Sequence, residues 1–214
     1  MREEIIGDCR LILGDCRDVL PELWVFDLLL TDPPYGIGFD GQKASINKNP
    51  KHNRKEHEFM GWDSETPPKE LIDLAISKAA GSIIWGGNYF DLPPSRGWLF
   101  WGKGQDGQLT SSDGELAWTN YDMPLRAMTI NRCFLLKDGS KHPTQKPIAL
   151  MQWCISQAKN NPQTILDPFM GSGTTGVACV NLGRKFTGIE REPKYFDIAC
   201  RRVEDAYRQQ RLFA

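Results

Sequence analysis

Near its carboxyl end the chain runs Thr164-Ile165-Leu166 into Asp167-Pro168-Phe169-Met170-Gly171-Ser172-Gly173-Thr174-Thr175-Gly176. An apolar strand leads into a turn with Gly-x-Gly-x-x-Gly spacing. A helix with the apolar set Val177, Ala178, Val180 and Leu182 then follows, ending at Gly183. The glycines permit a tight turn and close approach of a ligand to the backbone. Glu190 tips the next strand, Lys185–Glu190. Strand, glycine turn, helix and distal acid together describe a nucleoside-type cofactor against a sheet edge, its ribose hydroxyls on the carboxylate. A P-loop is excluded, because Thr174 and Thr175 stand where a phosphate-binding lysine is needed. A nicotinamide fold would open with this unit and continue into further strands. Here one strand and one amphipathic helix, Lys194 to Arg208 with Tyr195, Ile198, Ala199 and Val203, complete the chain. The remaining strands must be written earlier. The fold class is therefore α/β, a Rossmann-like doubly wound mixed sheet in permuted order.

The earlier half supplies a second turn of the same kind. Val25 to Leu30 is an apolar run that reads as a buried parallel strand. It ends in Thr31-Asp32-Pro33-Pro34-Tyr35, at the carboxyl edge where such sheets put their ligands. The prolines stiffen the turn and donate no backbone hydrogen bond, so neighbouring carbonyls remain acceptors. Asp32 adds a carboxylate and Tyr35 an aromatic face. Acceptors beside a flat ring suit a planar base that carries an NH2 group. As local structure alone, Asp-Pro is ordinary turn chemistry.

Between these turns the pattern is mixed. Arg10–Leu13 reads as a strand closed by Gly14-Asp15-Cys16, with a brief helix over 17–24. Residues 36–66, rich in Gly, Asn, Lys and His, have no period and read as a long mobile loop over the active site. Lys69–Ala80 has helical spacing, and Ser82–Trp85 and Trp98–Trp101 read as strands. Residues 104–128 read as irregular, followed by a strand over 130–137 and a helix over 148–159 with Pro147 at its first turn. Trp101 and Trp118 read as core. The 214 residues suit one domain, 1–214. With 26 basic and 27 acidic residues the net charge is −1, so any nucleic-acid surface must be local. The six cysteines form no CxxC pair and do not cluster with the histidines, which predicts reduced thiols and no metal site. No secretory leader and no membrane-spanning run is evident, and a cytoplasmic location is expected.

With Asp32-Pro33-Pro34-Tyr35, His142-Pro143-Thr144-Gln145-Lys146-Pro147, Asp167 to Thr175 and Gly188-Ile189-Glu190 in that order, the chain resembles the S-adenosylmethionine-dependent amino-methyltransferases of DNA, in their permuted β group. The resemblance implies S-adenosyl-L-methionine as cofactor. It puts Phe169, Gly171, Gly173 and Thr174 on the methionine and ribose side, Asp167 near polar atoms, and Glu190 on the ribose. Asp15 matches the position that contacts adenine. Lys146, with the turn from His142, would approach the methionine carboxylate.

The resemblance also implies a catalytic group of Asp32, Pro33, Pro34 and Tyr35. Asp32 and the Pro33 carbonyl would accept the two N–H bonds of an exocyclic amine, with Tyr35 stacked on a base flipped out of the duplex. Asp at the first position favours adenine N6 over cytosine N4, and an RNA methyltransferase of the same fold is the further alternative. Residues 104–140 correspond to a short target-recognition segment, where Arg126, Arg132 and Lys137 are candidate DNA contacts. Double-stranded DNA is the expected partner. A homodimer and a restriction endonuclease, as in restriction-modification, are the other candidate partners.

Overall fold

The computed structural model describes residues 2–38, 65–104, 112–130 and 145–213. Its strands are β1 (Arg2–Ile6), β2 (Cys9–Leu13), β3 (Phe26–Thr31), β4 (Ala79–Trp85), β5 (Trp98–Gly102), β6 (Gly114–Thr119), β7 (Arg126–Thr129), β8 (Thr164–Asp167) and β9 (Lys185–Glu190). The helices are α1 (Cys16–Val19), α2 (Lys69–Ser77), α3 (Ile148–Gln157), α4 (Thr174–Asn181) and α5 (Pro193–Phe213). One mixed sheet carries the strands in the order β1-β2-β9-β8-β3-β4-β6-β5-β7. From β2 to β4 every pairing is parallel, while β1, β6 and β5 join antiparallel and β7 runs parallel to β5.

β3 sits near the middle, and Leu28, Leu29 and Leu30 are all fully buried. A parallel strand covered on both faces needs such an unbroken apolar run. Side chains alternate across the sheet. Leu28 and Leu30 join the core beneath α3, α4 and α5, with Met151, Val177, Phe196 and Ala199. Leu29 joins the opposite core beneath α1 and α2, with Val19, Leu71 and Ala75. Full burial of each such side chain contributes about 1.5–3 kcal/mol.

β3 and β8 are pinned at both ends. At the start, Asp27 accepts from the backbone N–H groups of Gln163 and Thr164 at 2.8 and 3.0 Å. At the finish, the Thr31 hydroxyl donates to Asp167 at 2.7 Å. The direction of winding across the sheet also reverses here, since β3 leads through α2 to β4 on one side and β8 through α4 to β9 on the other. Ligands of doubly wound sheets bind at such a switch point.

Three features differ from the sequence reading. Residues 104–128 are not wholly irregular, because β6 and β7 lie there. β6 is held between β4 and β5, and burial of Ala117, Trp118 and Thr119 in succession hides any alternation. β7 is a mostly exposed four-residue edge strand, with Met128 alone packed against the core, too short to show a period. β1 is likewise a charged edge strand, which the sequence reading lacks. The strand expected over 130–137 and most of the 36–66 loop fall outside the described residues, as do His142, Arg132 and Lys137. Trp101 and Trp118 are core, each 3% exposed. Cys9, Cys16, Cys154, Cys179 and Cys200 are buried free thiols. Among the described residues no helix is long and apolar enough to cross a membrane.

Candidate active site

The carboxyl ends of five neighbouring parallel strands deliver the functional groups. β2 leads to Asp15, β9 ends at Glu190, β8 at Asp167, β3 leads to Asp32, and β4 ends at Trp85 before Gly86. A cleft of about 400 Å³ opens over this edge. Asp15, Asp32, Pro34, Lys146, Asp167, Phe169, Gly171, Thr174 and Glu190 all line it. The two halves of the sequence motif thus share one cavity.

The glycine turn is built from its backbone outward. Gly171 and Gly173 have φ of +53° and +78°, in the left-handed region that favours glycine. Space is open where a Gly171 side chain would project, leaving the backbone bare toward a ligand. Arg202 of α5 ties the turn down, donating to the Ser172 carbonyl at 2.6 Å and to the Thr174 hydroxyl at 3.1 Å. Asp167 is spent inside the turn, accepting from Thr31, from Thr175 at 2.7 Å and from Phe169 N–H at 3.1 Å. Burial raises its carboxyl to about 6 against these hydrogen bonds. Asp15 caps α1 through Arg17 N–H at 2.9 Å and pairs with the Arg17 guanidinium.

Glu190 accepts from the backbone N–H of Gly171 at 2.9 Å and of Glu192 at 2.8 Å. Burial pushes its carboxyl from 4.5 up to about 7, with the two N–H groups opposing the rise. The folded chain therefore holds this proton more tightly than the unfolded chain. Stability from this group is present below pH 4.5 and is lost as pH rises toward 7. Ligand hydroxyls act in the opposite direction, since only the ionised carboxylate accepts from two O–H groups at once. Affinity for a nucleoside cofactor should therefore climb between about pH 6 and pH 8. In Glu190→Gln that climb should vanish and affinity should fall about tenfold, as read by calorimetric titration across pH. An unchanged pH dependence in the variant would remove this role.

Asp32 stands in a buried ionic ladder. Its carboxylate accepts from the Tyr35 hydroxyl on one oxygen and from Lys146 Nζ at 2.7 Å on the other. Lys146, 5% exposed in its side chain, also reaches Glu115 at 3.0 Å, and Glu115 reaches Lys103 at 2.8 Å. Burial raises the Asp32 carboxyl, while the Lys146 charge pulls it back. Burial also works against the Lys146 ammonium, but Asp32 and Glu115 more than offset that and hold it well above the usual lysine range. The cofactor-carboxylate role that the resemblance implies for Lys146 thus meets a different placement: its ammonium is engaged by Asp32 and Glu115.

Pro33 is buried and Pro34 half-buried beside the cleft. The Tyr35 ring lies in a parallel stack with Tyr89, centroids 4.9 Å apart and planes 11° off parallel, with Phe90 edge-on at 6.3 Å. Gly86, with φ of +67°, makes room for that ring, since any Cβ there would overlap it. Glu115, Lys103 and Tyr89 were not singled out in the sequence. Only their placement on β6, after β5 and after β4 brings them here.

The fold and cleft define a doubly wound α/β protein that can hold a nucleoside cofactor against a half-buried acid. Its fold is that of DNA methyltransferases. It aligns with the crystal structure of the M1.HpyAVI–SAM complex at a TM-score of 0.60 and 24% identity, covering 91% of this chain and 99% of that one. PvuII DNA methyltransferase, described as cytosine-N4-specific, aligns at 0.56 and 14% identity, over 94% and 92% of the two chains. Residues 120–201 match the DNA methylase family model. The Type II methyltransferase M2.DpnII of Streptococcus pneumoniae is 50% identical over 68 residues, which is 32% of this chain and 25% of that protein. The match thus spans a quarter of that curated relative's length. The resemblance carried by the motifs is borne out, by family sequence over 120–201 and by fold over nearly the whole chain. Asp32 lies outside the matched family segment, and the sheet brings it to the cleft.

Proposed function

We propose that the chain transfers a methyl group from S-adenosyl-L-methionine to the exocyclic N6 amine of adenine in a short DNA sequence. One observation carries this reading: Asp32 and Pro34 line the same cleft as Asp15, Phe169, Gly171 and Glu190. The residues fit the cofactor. A bare glycine backbone, a half-buried acid on β9 and a second acid after β2 suit a nucleoside with a zwitterionic tail. When bound, the cofactor supplies an electrophilic methyl carbon on a cationic sulfur, which leaves as a neutral thioether when the amine nitrogen bonds to that carbon.

The chain's own groups do the rest. Asp32 accepts one amine N–H and the Pro33 carbonyl the other, which draws the nitrogen out of conjugation and frees its lone pair. Both Asp32 oxygens already accept one hydrogen bond, and each keeps a lone pair for the amine. Asp32 then takes the proton that the methylated amine sheds. The base must leave the duplex to arrive here, and Tyr35, whose ring is stacked on Tyr89, is the residue proposed to pack against it. The described part of 104–140 holds only two short strands, so a second copy of the chain is proposed to share sequence recognition, beside a restriction endonuclease in the cytoplasm.

Incubating the pure protein with the labelled cofactor and DNA, then digesting to nucleosides, tests the reading. N6-methyladenosine in the deoxy series is the expected product. N4-methylcytosine would transfer the mechanism to the alternative base. Label in RNA or protein but not DNA would overturn the substrate class.

A further inference from the structure

The ladder behind Asp32 continues past what the reaction itself needs. Lys146 lies between two carboxylates, Asp32 at 2.7 Å and Glu115 at 3.0 Å. Glu115 lies between two ammoniums, Lys146 and Lys103 at 2.8 Å. Side-chain exposure is 5% for Lys146, 7% for Lys103, 22% for Asp32 and 24% for Glu115. Four charges of alternating sign thus run from Asp32 and Lys146 in the cleft wall to Glu115 on β6 and Lys103 after β5. Aromatic faces wall them in: Trp85 and Tyr35 lie 5.7 and 5.5 Å from the Lys146 ammonium, and Trp101 5.6 Å from that of Lys103.

A lysine paired with Asp32 alone would grip it firmly. Buried opposite charges at this distance attract strongly, and the carboxylate would become a poor proton acceptor. A second carboxylate on the same ammonium divides that grip. We infer that Glu115, backed by Lys103, is a positioning residue for Asp32: by sharing Lys146 it fixes the carboxylate in the cleft yet leaves it able to take the amine proton. This rests on the methyltransferase reading and assigns the proton-acceptor strength of that site to a residue on β6.

The charged and titratable groups around Lys146 all bear on the test. Asp32 and Tyr35 face it from the end of β3, Glu115 from β6, and Lys103 stands behind Glu115 at the end of β5. Cys154 faces it from α3, and Asp167 of β8 acts on Asp32. Lys146 and Lys103 hold the Glu115 carboxyl down to about 2 against its burial, so Glu115 is an anion throughout the working range. Its charge raises Asp32. Neutralising it must move Asp32 to lower pH.

Two readouts test this in Glu115→Gln: the pH profile of kcat, and a carbon-13 carboxyl titration of Asp32 in the cofactor-free protein, its signal assigned by loss in Asp32→Asn. Both should shift about one pH unit acidward, with kcat at pH 7.5 down about tenfold and the KM for DNA within about twofold. Glu115→Asp keeps the charge and should restore the position of the profile. Lys103→Met/Glu115→Gln removes both partners without leaving a buried unpaired charge, and should show the same shift if the single variant folds poorly. A lower kcat with an unmoved profile and an unmoved Asp32 titration would reduce Glu115 to scaffolding and overturn the inference. If the wild-type protein methylates nothing, the methyltransferase reading fails, while the carboxyl titration still decides the ladder.

Discussion

Asp32→Ala should abolish methyl transfer while leaving cofactor affinity nearly unchanged. In the proposed mechanism Asp32, which lines the cleft, accepts from the amine, so its loss removes both the aiming of the lone pair and the proton acceptor. A positioned general base contributes about 10²–10⁴-fold, and a preorganised electrostatic contact a similar factor. A fall in kcat of at least about 10³ is therefore expected. The cofactor groups on β2, β8 and β9 do not depend on Asp32, so calorimetric Kd should change by less than about threefold. Lys146 keeps Glu115 as a partner in the variant, which protects the fold. Substantial activity in Asp32→Ala would remove the mechanism.

The second large effect lies in the glycine turn. In Gly173→Val the new Cβ would stand 2.8 Å from the Ala199 Cβ and 3.0 Å from its Cα, in the backbone of α5. It would also force a β-branched residue to φ near +78°. Backbone strain of about 1–3 kcal/mol adds to an overpacking cost of about 1–3 kcal/mol. The turn can relieve this only by moving off α5, which breaks the Arg202 tether and displaces the bare backbone from the cleft. Cofactor affinity should fall at least about tenfold, with a drop of several degrees in Tm. Wild-type affinity and stability together would show that the turn does not need glycine here.

Much of this site could be read along the chain because its strands are parallel and central. Leu28 to Leu30 and Ile165 to Leu166 are buried on both faces, so their apolar runs stand out, and each delivers a turn of unusual composition at its carboxyl end. Lys185–Glu190 matches the expected strand residue for residue. The remainder was hidden for two physical reasons. Edge strands such as Arg2–Ile6 and Arg126–Thr129 face water, and their composition is that of a loop. Partners such as Glu115 and Lys146 meet only in the folded chain, Glu115 from β6 and Lys146 from just before α3, with no local sequence signature joining them. Lys146 shows the point: its neighbours in the chain suggest a cofactor anion, and its neighbours in space are Asp32 and Glu115.

The strand order has a consequence for biosynthesis. β9 fills the gap between β2 and β8, and β8 the gap beside β3, so strands made late join strands made much earlier. Before residue 190 leaves the ribosome, β1–β2 is an isolated hairpin whose β2 edge, later covered by β9, is still open. Isolated pairs are marginal in water, and distant pairings form slowly. The nascent chain therefore exposes unpaired, leucine-rich edges until β8 and β9 emerge and should lean on chaperones. Equally, Asp32 after β3 and Gly171 and Glu190 of the later unit come to line one cavity only once β8 and β9 have docked.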